Sequence, residues 1–146
     1  MRSVVQRVSE ARVSVDGQVV ASIQAGLLVL IGFTLGDGAS QSGWMAKKIL
    51  DLRIVGDNLS QTLFEASAEL LVVSQFTLYA DVRRGRRPDF SRALPKAAAQ
   101  DLYQQFLNDL VQLGAHPQTG IFGANMQVHL INWGPFTLYF ERETSR

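Results

Sequence analysis

The sequence predicts an α/β fold in a single domain covering residues 1–146. Three observations point there. Strand-like runs come first, and helical periodicity then alternates with further strands. With 47% apolar residues, a chain of 146 fills one sizeable core. No internal repeat, low-complexity segment or linker divides it.

Residues 4–8 and 11–15 are β-branched and partly alternating, which predicts two strands. Asp16-Gly17 is a hairpin signal, and residues 19–23 supply the returning strand. Residues 27–31, opened by Gly26, form a continuous apolar run of the kind covered on both faces. After the loop Gly36-Asp37-Gly38, Ser40 or Ser42 is placed to cap a helix reaching about Arg53, with Met45, Ile49 and Leu52 on one face. Polar residues from Asp57 to Glu69 predict a turn and a short connecting strand. Residues 70–78 predict a buried strand. Pro95 suits the first position of a second helix. Its stripe runs Ala99, Leu102, Phe106, Leu110 and Leu113, and Gly114 terminates it. Two last strands, residues 126–131 and 136–140, are joined by Asn132-Trp133-Gly134-Pro135 as a turn.

Composition excludes several chemistries. There is no cysteine, so disulfides and thiolate metal sites are ruled out. The first residues lack a long apolar segment, and the longest apolar run is too short to span a bilayer. The expectation is a soluble, cytoplasmic protein. His116 and His129 stand alone, without the neighbours that a catalytic triad or a three- or four-ligand metal site requires. No metal and no cofactor is expected. Net charge is only +1, but five arginines (Arg83, Arg84, Arg86, Arg87 and Arg92) fall within ten positions. Their planar forks suit phosphate, so this stretch reads either as a solvated loop or as a phosphate-binding one.

Ser74-Gln75-Phe76-Thr77-Leu78 brings three polar side chains to the end of a buried run. Strand alternation would put Gln75 and Thr77 on one face, and Ser74 and Phe76 on the other. These groups either bond neighbouring backbone, or they border an oxyanion hole built from strand-end amides, with Thr77 orienting water or a hydroxyl. Gly134-Pro135 excludes a type I′ turn, because proline fixes φ near −65°. A II′-like trans turn or a cis type VI turn remain, and with cis at ~5–6% of X–Pro bonds the trans form is expected from the sequence alone. Residues 119–126 bracket apolar side chains with Gly120 and Gly123, as a tight core crossing or a pocket wall.

Taken together, these runs resemble the D-aminoacyl-tRNA deacylases of the bacterial and eukaryotic type. The matching segments are QRVSEARVSVDG (6–17), GLLVLIG (26–32), SQFTLYAD (74–81), GRRPDFSRA (85–93), TGIFGANM (119–126) and NWGPFT (132–137). They extend in order over nearly the whole chain. Three departures stand out. Trp133-Gly134-Pro135-Phe136 replaces the family's Asp-Gly-Pro-Val, residues 54–63 are shorter, and the loop at 83–87 is richer in arginine.

The resemblance implies curved, mostly antiparallel β-sheets covered by the two main helices, paired as a homodimer with active sites at the subunit interface. It implies hydrolysis of the ester between a D-amino acid and the terminal adenosine of tRNA, with L-aminoacyl-tRNA rejected and glycine also removed. Ser74, Gln75, Phe76 and Thr77 would be catalytic, chiefly through backbone N–H groups around Gln75 and Phe76. Gly134 and Pro135 would enter the partner's pocket as a cis prong that leaves no room for an L side chain. Ala93, Phe122 and Met126 would hold the aminoacyl group or adenine, and Arg83, Arg84, Arg86 and Arg87 would bind tRNA. The rival readings are a non-catalytic tRNA- or RNA-binding module, which keeps the arginine loop but has no use for residues 74–77, and a structural dimer shaped by Gly134-Pro135.

Overall fold

A computed structural model describes residues 1–143. The chain runs β1 (Arg2–Val15), β2 (Gln18–Ile23), β3 (Gly26–Gly32), α1 (Ala39–Asp51), β4 (Glu69–Ser74), a short 3₁₀ helix (Phe76–Tyr79), α2 (Lys96–Gln112), β5 (Gln118–Thr119) and β6 (Gln127–Glu141). One curved six-stranded sheet results. β1 is its hub. Its first half pairs antiparallel with β3, its second half with β2, and β6 runs antiparallel along it. The pairs β3–β4 and β4–β5 are parallel, so the sheet is mixed with an antiparallel majority.

The continuous apolar runs at β3 and β4 exist because both faces of these strands are covered. Leu27, Val29 and Ile31 of β3, with Leu70 and Val72 of β4, pack toward the helices. The alternate residues Leu28, Leu71 and Val73 face an inner core that the curled sheet closes with Val8, Val13 and Ile23. On the helix side, α1 contributes Met45 and Ile49, and α2 contributes Phe106 and Leu110, all fully buried. Ser42 lies inside α1 rather than capping it, and its hydroxyl donates to Asp109 of α2 at 2.5 Å. The residue at the helix start is Gly38, whose N–H donates to the Gln41 side chain. Pro95 is likewise one position outside its helix.

Three strand expectations are corrected. Residues 4–8 and 11–15 belong to one strand, bent rather than broken. The polar residues 57–68 form turns before β4 begins at Glu69, and Gln61 makes only a single bridge, to Val55. The run from Leu70 ends at Ser74, so residues 76 and 77 do not follow strand alternation.

The largest correction concerns Asn132-Trp133-Gly134-Pro135. It is no hairpin turn. β6 continues through it, pairing with β1 on both sides. Gln6 pairs with Thr137 and Val8 with Asn132, so residues 133–136 stand opposite Arg7 alone. The surplus chain bulges outward. Before the bulge Val128 and Leu130 pack on the inner core; from its last residue onward, Phe136, Leu138 and Phe140 pack on the helix-side core. The bulge sits where the strand passes from one core to the other.

Candidate active site

A cavity of about 620 Å³ opens beside the C-terminal ends of β3 and β4. Six of the side chains expected to matter meet there: Ser74, Gln75, Phe76, Ala93, Phe122 and Met126. The end of β4 supplies Ser74, and the turn into the 3₁₀ helix supplies Gln75 and Phe76. β4 stops at Ser74 because the chain turns into the 3₁₀ helix, which is tied down by the Leu78 N–H donating to Gln75 O. Phe122 is held by Tyr103 of α2, ring centroids 5.6 Å apart, and the Tyr103 hydroxyl donates to Val72 O. Phe76 is exposed and meets Phe90 edge to face at 5.1 Å. A second hollow, about 470 Å³, is lined by residues of β1, β2 and β6 around Arg12 and His129. It holds none of the polar strand-end groups.

The amides at the strand end divide in an unexpected way. The Gln75 N–H is spent, donating to Ile31 O at 2.7 Å. Among the described residues, the Phe76 and Thr77 amides have no backbone acceptor. They are the opening N–H groups of the 3₁₀ helix, which has no carbonyl for them. The free donor pair is therefore shifted one residue along from the expected Gln75 and Phe76. Thr77 is not among the residues lining the cavity; its free amide adjoins that of Phe76, which is. The Thr77 hydroxyl accepts from Gln75 Nε2 at 2.5 Å, so these side chains meet through a turn instead of a shared strand face.

The far end of the 3₁₀ helix is fastened by Arg2. Its Nη1 donates to Leu78 O at 2.9 Å, its Nε to Glu141, and its guanidinium lies 4.5 Å from the Tyr79 ring centre. Burial pushes the Tyr79 phenol well above the ordinary tyrosine range.

Gly134 and Pro135 do not line the cavity of their own chain; both are exposed at the bulge. Their peptide bond is cis, and Gly134 takes φ +144°. Two residues not among the expected site residues build this prong. Arg7, 6% exposed, donates from Nε to Trp133 O at 2.9 Å and from Nη1 to Gly56 O at 3.0 Å. Asn132 closes the base, its Oδ1 accepting from the Phe136 N–H and its Nδ2 donating to Thr137 Oγ1, both at 2.8 Å. The bulky flanks have uses: the Trp133 ring covers the Arg7 guanidinium at 4.3 Å, and Phe136 packs on the helix-side core. The sequence signal was available in Asn132, whose side chain can mimic a backbone turn. Nothing local marked Arg7, because its partners are distant carbonyls.

The arginine loop is closed by paired amide–carbonyl bonds between Asp81 and Asp89. Arg83 is occupied, its side chain and N–H both bonding the Asp81 carboxylate. Those bonds hold the Asp81 carboxyl well below the usual range. Among the described residues, Arg84, Arg86 and Arg87 are exposed and carry no ion pair.

Residues 4–141 match the family described as D-Tyr-tRNA(Tyr) deacylase. The chain belongs to this family. Proteins curated as D-aminoacyl-tRNA deacylase are similar to it along nearly their full length. The one from Acaryochloris marina is 48% identical, covering 98% of this chain and 97% of its own. That of Thermobifida fusca is 50% identical, covering 97% and 99%. A solved structure of a c-Myc DNA unwinding element binding protein is 38% identical with a TM-score of 0.92, over 99% of this chain and all of that one. A probable eukaryotic D-amino acid tRNA deacylase, 18% identical over 97% of this chain and 98% of its own, shares the deacylase fold with a TM-score of 0.82.

Proposed function

We propose that this protein hydrolyses the ester joining a D-amino acid to the 3′-terminal adenosine of tRNA, rejecting L-aminoacyl esters. Membership of the deacylase family along nearly the whole chain carries this reading. The cavity fits it chemically. An aminoacyl ester is already activated, so placing it against the free amide of Phe76, with that of Thr77 beside it, and admitting water accounts for much of the catalysis. One such donor is typically worth ~3–4 kcal/mol in the transition state. The Phe76 and Thr77 amides take the oxyanion. Ser74 and Gln75 border the reacting ester, and the Thr77 hydroxyl, bonded to Gln75, orients rather than attacks. Ala93, Phe122 and Met126 hold the aminoacyl-adenosine.

Residues 1–146 act as one domain, and two copies pair. Gly134 and Pro135 of each enter the other's cavity, where their carbonyls hold the α-ammonium and their bulk excludes an L side chain. This explains why the prong is exposed and absent from its own cavity. Glycine, with no side chain to exclude, is also removed. Arg84, Arg86 and Arg87 meet tRNA phosphates, joined by Arg83 if it releases Asp81. The tRNA substrate places the protein in the cytoplasm. Among the described residues, no helix is long and apolar enough to cross a membrane.

The test is direct. Purified protein releases D-tyrosine from D-tyrosyl-tRNA and leaves L-tyrosyl-tRNA intact, and it sediments at twice the 16.1 kDa chain mass. Equal rates on the two isomers refute the chiral reading. RNA binding without turnover of any D-aminoacyl ester favours a non-catalytic RNA-binding module instead.

A further inference from the structure

The cavity contains one feature that ester hydrolysis at Phe76 and Thr77 does not use. Lys96, the first residue of α2, is the only charged residue among those lining the cavity, and no carboxylate accompanies it. Among the described residues it makes no ion pair and no side-chain hydrogen bond. The first turn of α2 has no acidic side chain to compete for it. Its ammonium lies over Gly123: a Cβ added there would come within 3.1 Å of Nζ. Gly123, at φ +77°, leaves space for the lysine stem beside the wall that carries Phe122 and Ala124.

The charges of an aminoacylated 3′ end decide what such a group does. The aminoacyl part carries an α-ammonium, which a lysine repels. The adenine and ribose are neutral. The first negative charge is the phosphodiester on the 5′ side of the terminal adenosine. A lone cation in an otherwise uncharged cavity therefore selects which end of the substrate lies beside it.

Resting on the deacylase reading, we propose that Lys96 receives the phosphodiester on the 5′ side of the terminal adenosine and thereby orients the nucleotide in the cavity. The aminoacyl ester is then directed away from Lys96, toward the free amides of Phe76 and Thr77. Lys96 is a substrate-positioning contact. It differs from the arginines at 84, 86 and 87, none of which lines the cavity.

Two small esters that differ only in the phosphate isolate this contact. They are 3′-O-D-tyrosyl adenosine and the 3′-O-D-tyrosyl ester of adenosine 5′-monophosphate. The wild-type protein is expected to favour the phosphate-bearing ester in kcat/KM by about tenfold, a factor equivalent to ~1.4 kcal/mol. Most of that difference is expected in KM, and it shrinks as salt is raised. K96M, which keeps the stem, brings the ratio near one, K96R restores it, and K96E inverts it. A merely structural lysine would change both esters alike and leave the ratio intact. A wild-type preference that K96M does not alter overturns the proposal while leaving the deacylase reading standing. A wild-type protein that hydrolyses neither ester, nor D-tyrosyl-tRNA, overturns both.

Discussion

Replacing Arg7 by alanine should release the prong. Arg7 is nearly buried, yet among the described residues it has no carboxylate partner; its charge is committed to the carbonyls of Trp133 and Gly56 and to the Trp133 ring. Hydrogen bonds from a charged donor contribute ~1.5–3 kcal/mol each. Two at the lower end give about 3 kcal/mol, and the stacked ring adds roughly 0.5–1 kcal/mol. Loss of about 3–4 kcal/mol lowers the urea midpoint by roughly 1.5–2 M, taking a slope near 2 kcal/mol/M. Arg7→Lys keeps one donor near one carbonyl and should lose about half as much. The functional readout is separate from the stability. With residues 133–136 no longer tied to β1, rejection of the L isomer should weaken more than turnover of the D isomer. Hydrolysis of D- and L-tyrosyl-tRNA, measured under conditions where the variant is fully folded, checks this. An Arg7→Ala protein within 0.5 kcal/mol of wild type and with unchanged L rejection would refute the reasoning.

Thr77→Ala should lower kcat by roughly tenfold to a hundredfold, far short of the ~10⁶ loss that accompanies removal of a nucleophile; single-turnover hydrolysis distinguishes them, and a loss of the larger size would reassign Thr77. Phe106→Ala, at a fully buried position in the helix-side core, should cost about 3–5 kcal/mol and lower Tm by roughly 10 °C, measured by calorimetry. The three tyrosines set an alkaline limit. Burial raises all three phenols, Tyr139 to about 12 with help from its bond to Glu141. The unfolded phenols ionise near 10. Their contribution to stability is therefore complete below pH 10 and is lost as pH rises toward 12. Absorbance at the phenolate band should show no tyrosine ionising near pH 10 before the protein unfolds.

Much of the fold was legible because its signals are local. Asp16-Gly17 closes the expected hairpin with both residues at positive φ, and the stripe from Ala99 to Leu110 faces the core. Leu113, the last of that stripe, falls at the cap and is exposed. Other errors share a cause. At Asn132-Trp133-Gly134-Pro135, proline and glycine read as an end to pairing, whereas β1 is long enough to re-form the ladder beyond an outward bulge. At Ser74 the strand-like pattern continues past the true strand end, because Phe76 and Leu78 look like strand residues. The candidate site was legible as a set of residues, since Ser74, Gln75, Phe76, Ala93, Phe122 and Met126 line one cavity. Which amides are free was not legible. That depends on Ile31, 44 positions away from Gln75 in the chain, taking one of them.

The prong also bears on how copies of this chain can meet one another. β6 is a 15-residue strand that, among the described residues, pairs only with β1. A straight edge of that length is an open template on which another copy's strand can add, and then another. The bulge at residues 133–136 cuts that edge into runs of six (127–132) and five (137–141), and Pro135 has no N–H to offer a newcomer. Residues proposed to tell D from L thus also interrupt the longest strand edge through which copies of this chain could stack without limit.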